Sequence, residues 1–132
     1  MPVTDAIRTP GARRKIVAID DSKTVLVTLR RALQEAGFDV QTACDPGEVS
    51  ARDAQQADAV IVDVQMEHVY GDDVVSFLRG AWQVSVPIFL FSSLPIEELR
   101  ARARAAGADG AVCKSSGVAA LIAELNRALE SR

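Results

Sequence analysis

The stretch KIVAIDDS, Lys15–Ser22, decides the fold. Ile16 to Ile19 form an unbroken apolar run in which β-branched side chains dominate, and two carboxylates, Asp20 and Asp21, follow at once. An apolar run of that length reads as a strand buried on both faces, the mark of a parallel sheet covered by helices. The abrupt change to acidic residues places the polar groups at the carboxyl end of the strand.

Working outward, four further segments have the same character: Phe38–Thr42, Ala59–Asp63, Pro87–Phe91 and Gly110–Cys113, with the first strand taken over Lys15–Asp20. Between them lie segments with helical spacing. Val25, Leu26, Leu29 and Leu33 make one stripe, stopped by Gly37. Val74, Val75, Phe77 and Leu78 make another after Gly71. Ile96, Leu99, Ala103 and Ala106 make a third, ended by Gly107, and Val118, Leu121, Ile122 and Leu125 a fourth. Pro46–Gln56 offers only Val49, Ala51 and Ala54 as an apolar face and is the weakest helix. Five rounds of strand and helix imply right-handed crossovers and a parallel sheet. The expected class is α/β: a flavodoxin-like (βα)5 three-layer sandwich with strand order 2-1-3-4-5, whose ligand crevice lies at the carboxyl ends of the strands. Residues 1–14, with Pro2, Pro10 and Gly11, read as a flexible leader, and 15–132 as one domain with no second domain following.

The 132 residues suit one core, with 48% apolar and 25% charged side chains. The net charge of −3 supplies no general attraction to nucleic acid or anionic membrane. No apolar run is long enough to span a bilayer, and the N-terminus lacks a secretory pattern, so the expected setting is cytoplasmic. Cys44 and Cys113 suit a reducing compartment. A disulfide between them is not expected, because strands two and five lie at opposite edges, four spacings or roughly 19 Å apart.

The chemistry gathers at the strand ends. Strand one ends in Asp20-Asp21, strand three in Asp63, strand four in Ser92-Ser93 and strand five in Cys113-Lys114. Each has an ordinary reading alone: Asp21 or Ser22 caps the first helix, Ser92 or Ser93 precedes a helix at Pro95, and Lys114 is a solvated strand end. Together they make a set suited to phosphate. Three close carboxylates repel one another unless a cation intervenes, and hard oxygen ligands in small number suit Mg²⁺. A carboxylate in that setting is a nucleophile towards phosphorus. The Lys114 ammonium and the Ser92 hydroxyl then offer positive charge and a donor to the equatorial oxygens.

These residues resemble the receiver domains of two-component response regulators from Lys15 to about Arg127. The matching segments are IDDS (Ile19–Ser22), DVQMEHVYG (Asp63–Gly71), FSS (Phe91–Ser93) and CKSS (Cys113–Ser116). The resemblance implies that Asp63 is the phosphoacceptor, that Ser92 is the switch hydroxyl and that Lys114 binds the phosphoryl group. It implies Mg²⁺ held by Asp21, Asp63 and the main-chain carbonyl of Gln65, with Asp20 acting through a metal-bound water. The donor would be a phosphohistidine on a sensor histidine kinase or phosphotransfer protein. A downstream protein target would read the change, and the domain would catalyse only its own phosphorylation and dephosphorylation. Gln65 and Leu94 fall at positions that tune dephosphorylation in the family.

Three positions depart from the family pattern. Ala111 stands where an aromatic switch residue is usual, so no ring can move inward there. Ser115 follows Lys114 where proline is usual; a cis bond before a non-proline costs about 2.5–4 kcal/mol, so a trans bond is expected, with Ser115 or Ser116 free to cap the last helix. Glu67 replaces proline after Met66 and adds an acidic group, while His68 reads as a surface residue. Ala111 and Ser115 lend support to an alternative, a pseudo-receiver whose output ignores phosphorylation, and the intact Asp20, Asp21, Asp63, Ser92 and Lys114 speak against it. A flavodoxin-like cofactor enzyme is a third reading, opposed by Asp20-Asp21 where a phosphate loop should lie. Arg100 and Arg102 follow Glu97 and Glu98 at helix-pair spacing and read as a solvated face, and Trp82 as packing or interface.

Overall fold

The computed structural model describes residues 13–130. The leader expected over 1–14 therefore lies outside the described residues except at Arg13 and Arg14. Both of these already touch the fold: the Asp39 N–H donates to the Arg14 carbonyl (2.9 Å), and the Arg13 guanidinium donates to the Gln34 carbonyl (3.3 Å).

Five parallel strands, β1 (Lys15–Ile19), β2 (Asp39–Ala43), β3 (Ala59–Val62), β4 (Ile88–Ser92) and β5 (Gly110–Cys113), form one sheet in the order 2-1-3-4-5. The helices are α1 (Lys23–Glu35), α2 (Ala51–Gln56), α3 (Gly71–Gly80), α4 (Ile96–Ala106) and α5 (Val118–Glu130). This is the expected flavodoxin-like sandwich. β5 has the expected bounds, β1 and β3 end one residue early because Asp20 and Asp63 lie just past the last paired position, and β2 and β4 lie one residue later than expected.

Alternation along the strands sorts the core into two layers. Ile16 and Ala18 face α1 and α5, where Leu29, Leu33, Leu121 and Leu125 are buried. Val17 and Ile19 face the other side, with Val75 and Leu78 of α3 and Leu99 of α4. All residues of the central strands β3 and β4 are buried, as a sheet covered on both faces requires, whereas β2 at one edge is half open.

Local chemistry sets the helix ends. Ser22 caps α1: its Oγ accepts from the Val25 N–H, so of the two candidates it is Ser22 rather than Asp21. Gly37 and Gly107 follow α1 and α4 at φ of 100° and 93°, a conformation glycine adopts without penalty. The weak segment Pro46–Gln56 divides into a 3-10 turn, Pro46–Glu48, and the short α2, because Ser50 caps at the Asp53 N–H and restarts the chain. One expectation fails at the last helix. Lys114–Ser116 forms a 3-10 turn and Gly117 (φ 90°) precedes α5, so neither Ser115 nor Ser116 is its cap. The apolar stripe of α3 is also narrower than expected. Val74, Val75 and Leu78 are buried, but Phe77 is 50% exposed.

Arg79, in the last turn of α3, clamps the amino ends of β4 and β5. Its guanidinium donates to the carbonyls of Val84, Val86 and Gly107, each at 2.8 Å, and to Asp109 Oδ2 at 2.6 Å, which also accepts from the Ile88 N–H. The pairs expected on α4 are present, Glu97–Arg100 and Glu98–Arg102, and Arg102 reaches across to Asp72 of α3.

Candidate functional site

The opposite edge of the sheet collects the residues singled out from sequence. Asp20 follows β1 and Asp63 follows β3, and the β1–β3 pairing of Ile19 with Val62 sets the two carboxylates side by side. Both are buried, at 3% and 4% exposure, while Asp21 is exposed. Carboxylate oxygens of Asp20, Asp21 and Asp63 lie within 4.8 Å of one another. Lys114, carried in by β5, bridges the two buried ones: Nζ lies 2.8 Å from Asp20 Oδ2 and 3.0 Å from Asp63 Oδ2. The Lys114–Ser115 bond is trans, like every peptide among the described residues, and the lysine reaches both carboxylates in that conformation.

A main-chain donor holds one oxygen of each carboxylate. Asp20 Oδ1 accepts from the Ser22 N–H (2.9 Å), and Asp63 Oδ1 from the Gln65 N–H (3.0 Å). Asp21 Oδ2 accepts from the Glu67 N–H (2.7 Å). Residue 67 must carry a free N–H to do this, which the proline usual in the resembling family lacks. The loop 64–70 closes through a bridge between Gln65 and Tyr70 and through the Gly71 N–H on the Val64 carbonyl (3.0 Å). Gly71 is held against the chain at Asp63 and Val64, and a Cβ there would collide with the Asp63 carbonyl.

The electrostatics follow from burial and pairing. Burial pushes the Asp20 carboxyl above the ordinary aspartate range, against the hydrogen bonds from Lys114 and the Ser22 N–H, and the charge of Asp63 pushes the same way. Burial draws the Lys114 ammonium down, but its hydrogen bonds to Asp20 and Asp63 outweigh this and leave it above the usual lysine value. With all three carboxylates ionised, one ammonium leaves two negative charges uncompensated, the charge a divalent cation carries. The donor set is all oxygen, as Mg²⁺ prefers.

Ser92, at the end of β4, is fully buried, and its Oγ donates to Gln65 Oε1 at 3.3 Å. Ser93 is exposed and Leu94 half-buried. The Leu94 carbonyl accepts from Cys113 Sγ (3.4 Å), and Sγ also meets Ser115 Oγ at 3.0 Å, a contact that lowers the thiol pKa. Cys44 and Cys113 are both free thiols. His68 and Glu67 are exposed, and Ala111 sits half-buried opposite Leu90. Sequence reasoning missed the side-chain tie between Gln65 and Ser92 and the Glu67 N–H on Asp21. Only the second had a visible signal, the absence of proline at 67.

Among the described residues, no helix is long and apolar enough to cross a membrane. The family model described as "Response regulator receiver domain" matches residues 16–126. The chain is 33% identical over 120 residues to the transcriptional regulatory protein PrrA of Mycobacterium leprae, covering 89% of this chain and 51% of PrrA. It is 32% identical over 115 residues to the transcriptional regulatory protein KdpE of Mycobacterium tuberculosis, covering 86% and 50%. The chain thus spans about half the length of the curated relatives it matches. Among solved structures it superposes on the chemotaxis protein CheY4 of Vibrio cholerae with a TM-score of 0.77 at 31% identity, covering 89% of this chain and 99% of CheY4.

Proposed function

The chain belongs to the response regulator receiver domain family, and from that premise we propose that Asp63 accepts a phosphoryl group from a phosphohistidine on a sensor histidine kinase or phosphotransfer protein. The reaction depends on Mg²⁺, and its outcome is a change in protein–protein contacts with a downstream target in the cytoplasm. One observation carries the reading: a lysine ammonium within 3.0 Å of two buried carboxylates, with a third carboxylate beside them, at the carboxyl edge of a parallel sheet.

In the transfer, an Asp63 carboxylate oxygen attacks phosphorus. The new O–P bond forms as the N–P bond breaks, and its electron pair returns to the imidazole ring of the donor. Lys114 turns from Asp63 to an oxygen of the phosphoryl group while keeping Asp20. Asp20, Asp21 and Asp63, with the Gln65 main-chain carbonyl, would hold the metal. When bound, Mg²⁺ supplies charge neutralisation for the carboxylates and the phosphoryl oxygens. Ser92 leaves Gln65 to donate to a phosphoryl oxygen, which ties the added charge to the segment between β4 and α4. Hydrolysis of the acyl phosphate by water resets the site.

A second reading, a pseudo-receiver with a phosphorylation-independent output, is favoured by the small Ala111 at the position of the aromatic switch and by Ser115 where proline is usual. Intact mass after incubation with Mg²⁺ and acetyl phosphate separates the two. A gain of about 80 Da in the wild type and none in Asp63→Asn is expected. No gain in either protein, together with no binding of beryllofluoride, refutes the phosphoacceptor reading and favours the second.

A further inference from the structure

The molecule has an apolar groove beside the carboxylate cluster that the phosphoryl chemistry does not use. It runs between α3 and the 3-10 turn after β2. Two adjoining cavities of about 460 and 310 Å³ share Pro46, Val74 and Phe77 as walls. Phe77 stands half exposed between them and meets Trp82 edge-on, with ring centroids 5.0 Å apart. Isolated exposed side chains are ordinary on a protein surface, but here an open aromatic wall faces two concave apolar spaces.

The charges around the groove select its occupant. Asp45 and Asp73 line its mouth and both are exposed. Among the described residues lining the two cavities, none is a lysine or arginine, and His68 is the only basic type. A further open groove, beside α1, is rimmed by Lys23, Arg30 and Arg31. The two surfaces therefore carry opposite signs, and the α3 groove suits a cationic partner. Its walls are α3, the 3-10 turn and, through His68 and Val69, the 64–70 loop, and among the described residues no edge strand lines it to pair with an extended segment. A helix, which satisfies its own main chain, fits such a groove with anchors one turn apart.

We propose that this groove docks a basic amphipathic helix of a partner protein, seating one large apolar side chain in each cavity with Lys or Arg facing Asp45 and Asp73. Phe77, Asp45 and Asp73 take no part in the phosphoryl chemistry, so the proposal stands apart from the reading of the carboxylate site.

Trp82, the only tryptophan in the chain, reports on the groove directly. The probes are two tryptophan-free synthetic helices of about 18 residues, with the same leucine face and either lysine or glutamate on the polar face. The expected result is saturable one-to-one binding of the lysine helix, with a Trp82 emission shift. The glutamate helix should bind about tenfold or more weaker, as should the lysine helix to Phe77→Ser and to Asp73→Lys. Val27→Ser, in the α1 groove, should bind as the wild type does. Circular dichroism and urea unfolding establish that each variant is folded. No saturable binding, equal binding of both helices, or full-strength binding by folded Phe77→Ser overturns the proposal. So does concentration-dependent self-association in sedimentation that Phe77→Ser abolishes, which would assign the face to a second copy of the chain.

Discussion

Replacing Lys114 by methionine removes the ammonium and keeps most of the apolar stem. In the wild type that ammonium lies 2.8 Å from Asp20 and 3.0 Å from Asp63, two carboxylates each buried to 4% side-chain exposure. Breaking a buried pair by deleting one partner costs about 3–5 kcal/mol, because the remaining charge keeps its desolvation penalty. The lysine side chain is 19% exposed, so the low end applies, and the expected loss in urea unfolding near neutral pH with chelator present is about 3 kcal/mol.

The pH dependence identifies the cause. Asp20 is already raised in the wild type by burial, and the Lys114 hydrogen bond opposes that rise. Without the lysine, Asp20 moves higher still. The folded variant then binds a proton more tightly than the unfolded chain, so its stability falls as pH rises through that window and recovers on acidification. The gap to wild type should therefore narrow towards acid. It should narrow again at alkaline pH, because the stability that Lys114 contributes is present below the ordinary lysine value and is lost as pH rises through its higher folded value. Mg²⁺, which replaces the missing charge, should stabilise the variant more than the wild type. A deficit that stays constant across pH and with Mg²⁺ would show that lost packing, and not uncompensated carboxylates, sets the cost.

Gly71→Ala places a methyl group against the Asp63 carbonyl, so overpacking should cost about 2 kcal/mol and slow phosphoryl uptake, read by thermal unfolding and by intact-mass time courses. Gln65→Leu leaves the buried Ser92 hydroxyl without its acceptor, at a cost of about 1 kcal/mol. Beryllofluoride should restore that loss by accepting from Ser92, so the variant gains more in melting temperature from the ligand than the wild type does.

The sheet order and the meeting of Asp20, Asp63, Ser92 and Lys114 were legible because parallel strands buried on both faces leave no room for polar side chains until their ends. Periodicity follows one element at a time, and it fails where contacts join distant segments. Gln65 and Ser92 are 27 residues apart, and nothing local marks their hydrogen bond. Phe77 lies about 100° round the helix from Leu78, on the side away from Val75. An apolar stripe that includes it is wider than the face α3 buries, and the residue that looks like core is open to solvent. Arg79 draws no reading from the sequence. Its role as a clamp appears only when β4 and β5 are placed beside it. The division of Pro46–Gln56 was visible in principle, since Ser50 with Asp53 three residues on is a helix start.

That clamp makes the two ends of the sheet mechanically unequal. At the amino ends of β4 and β5, a single guanidinium gathers four acceptors in short bonds. At the carboxyl ends, the Ser92 side chain is moored by one long hydrogen bond to Gln65. A phosphoryl group on Asp63 would therefore act at the end of the strand pair away from this clamp, like a load on a cantilever. Movement at the clamped root would stay small, and Ser92, on its single long bond, would yield before Lys114 and Cys113, which are tied to Asp20, Asp63 and Leu94.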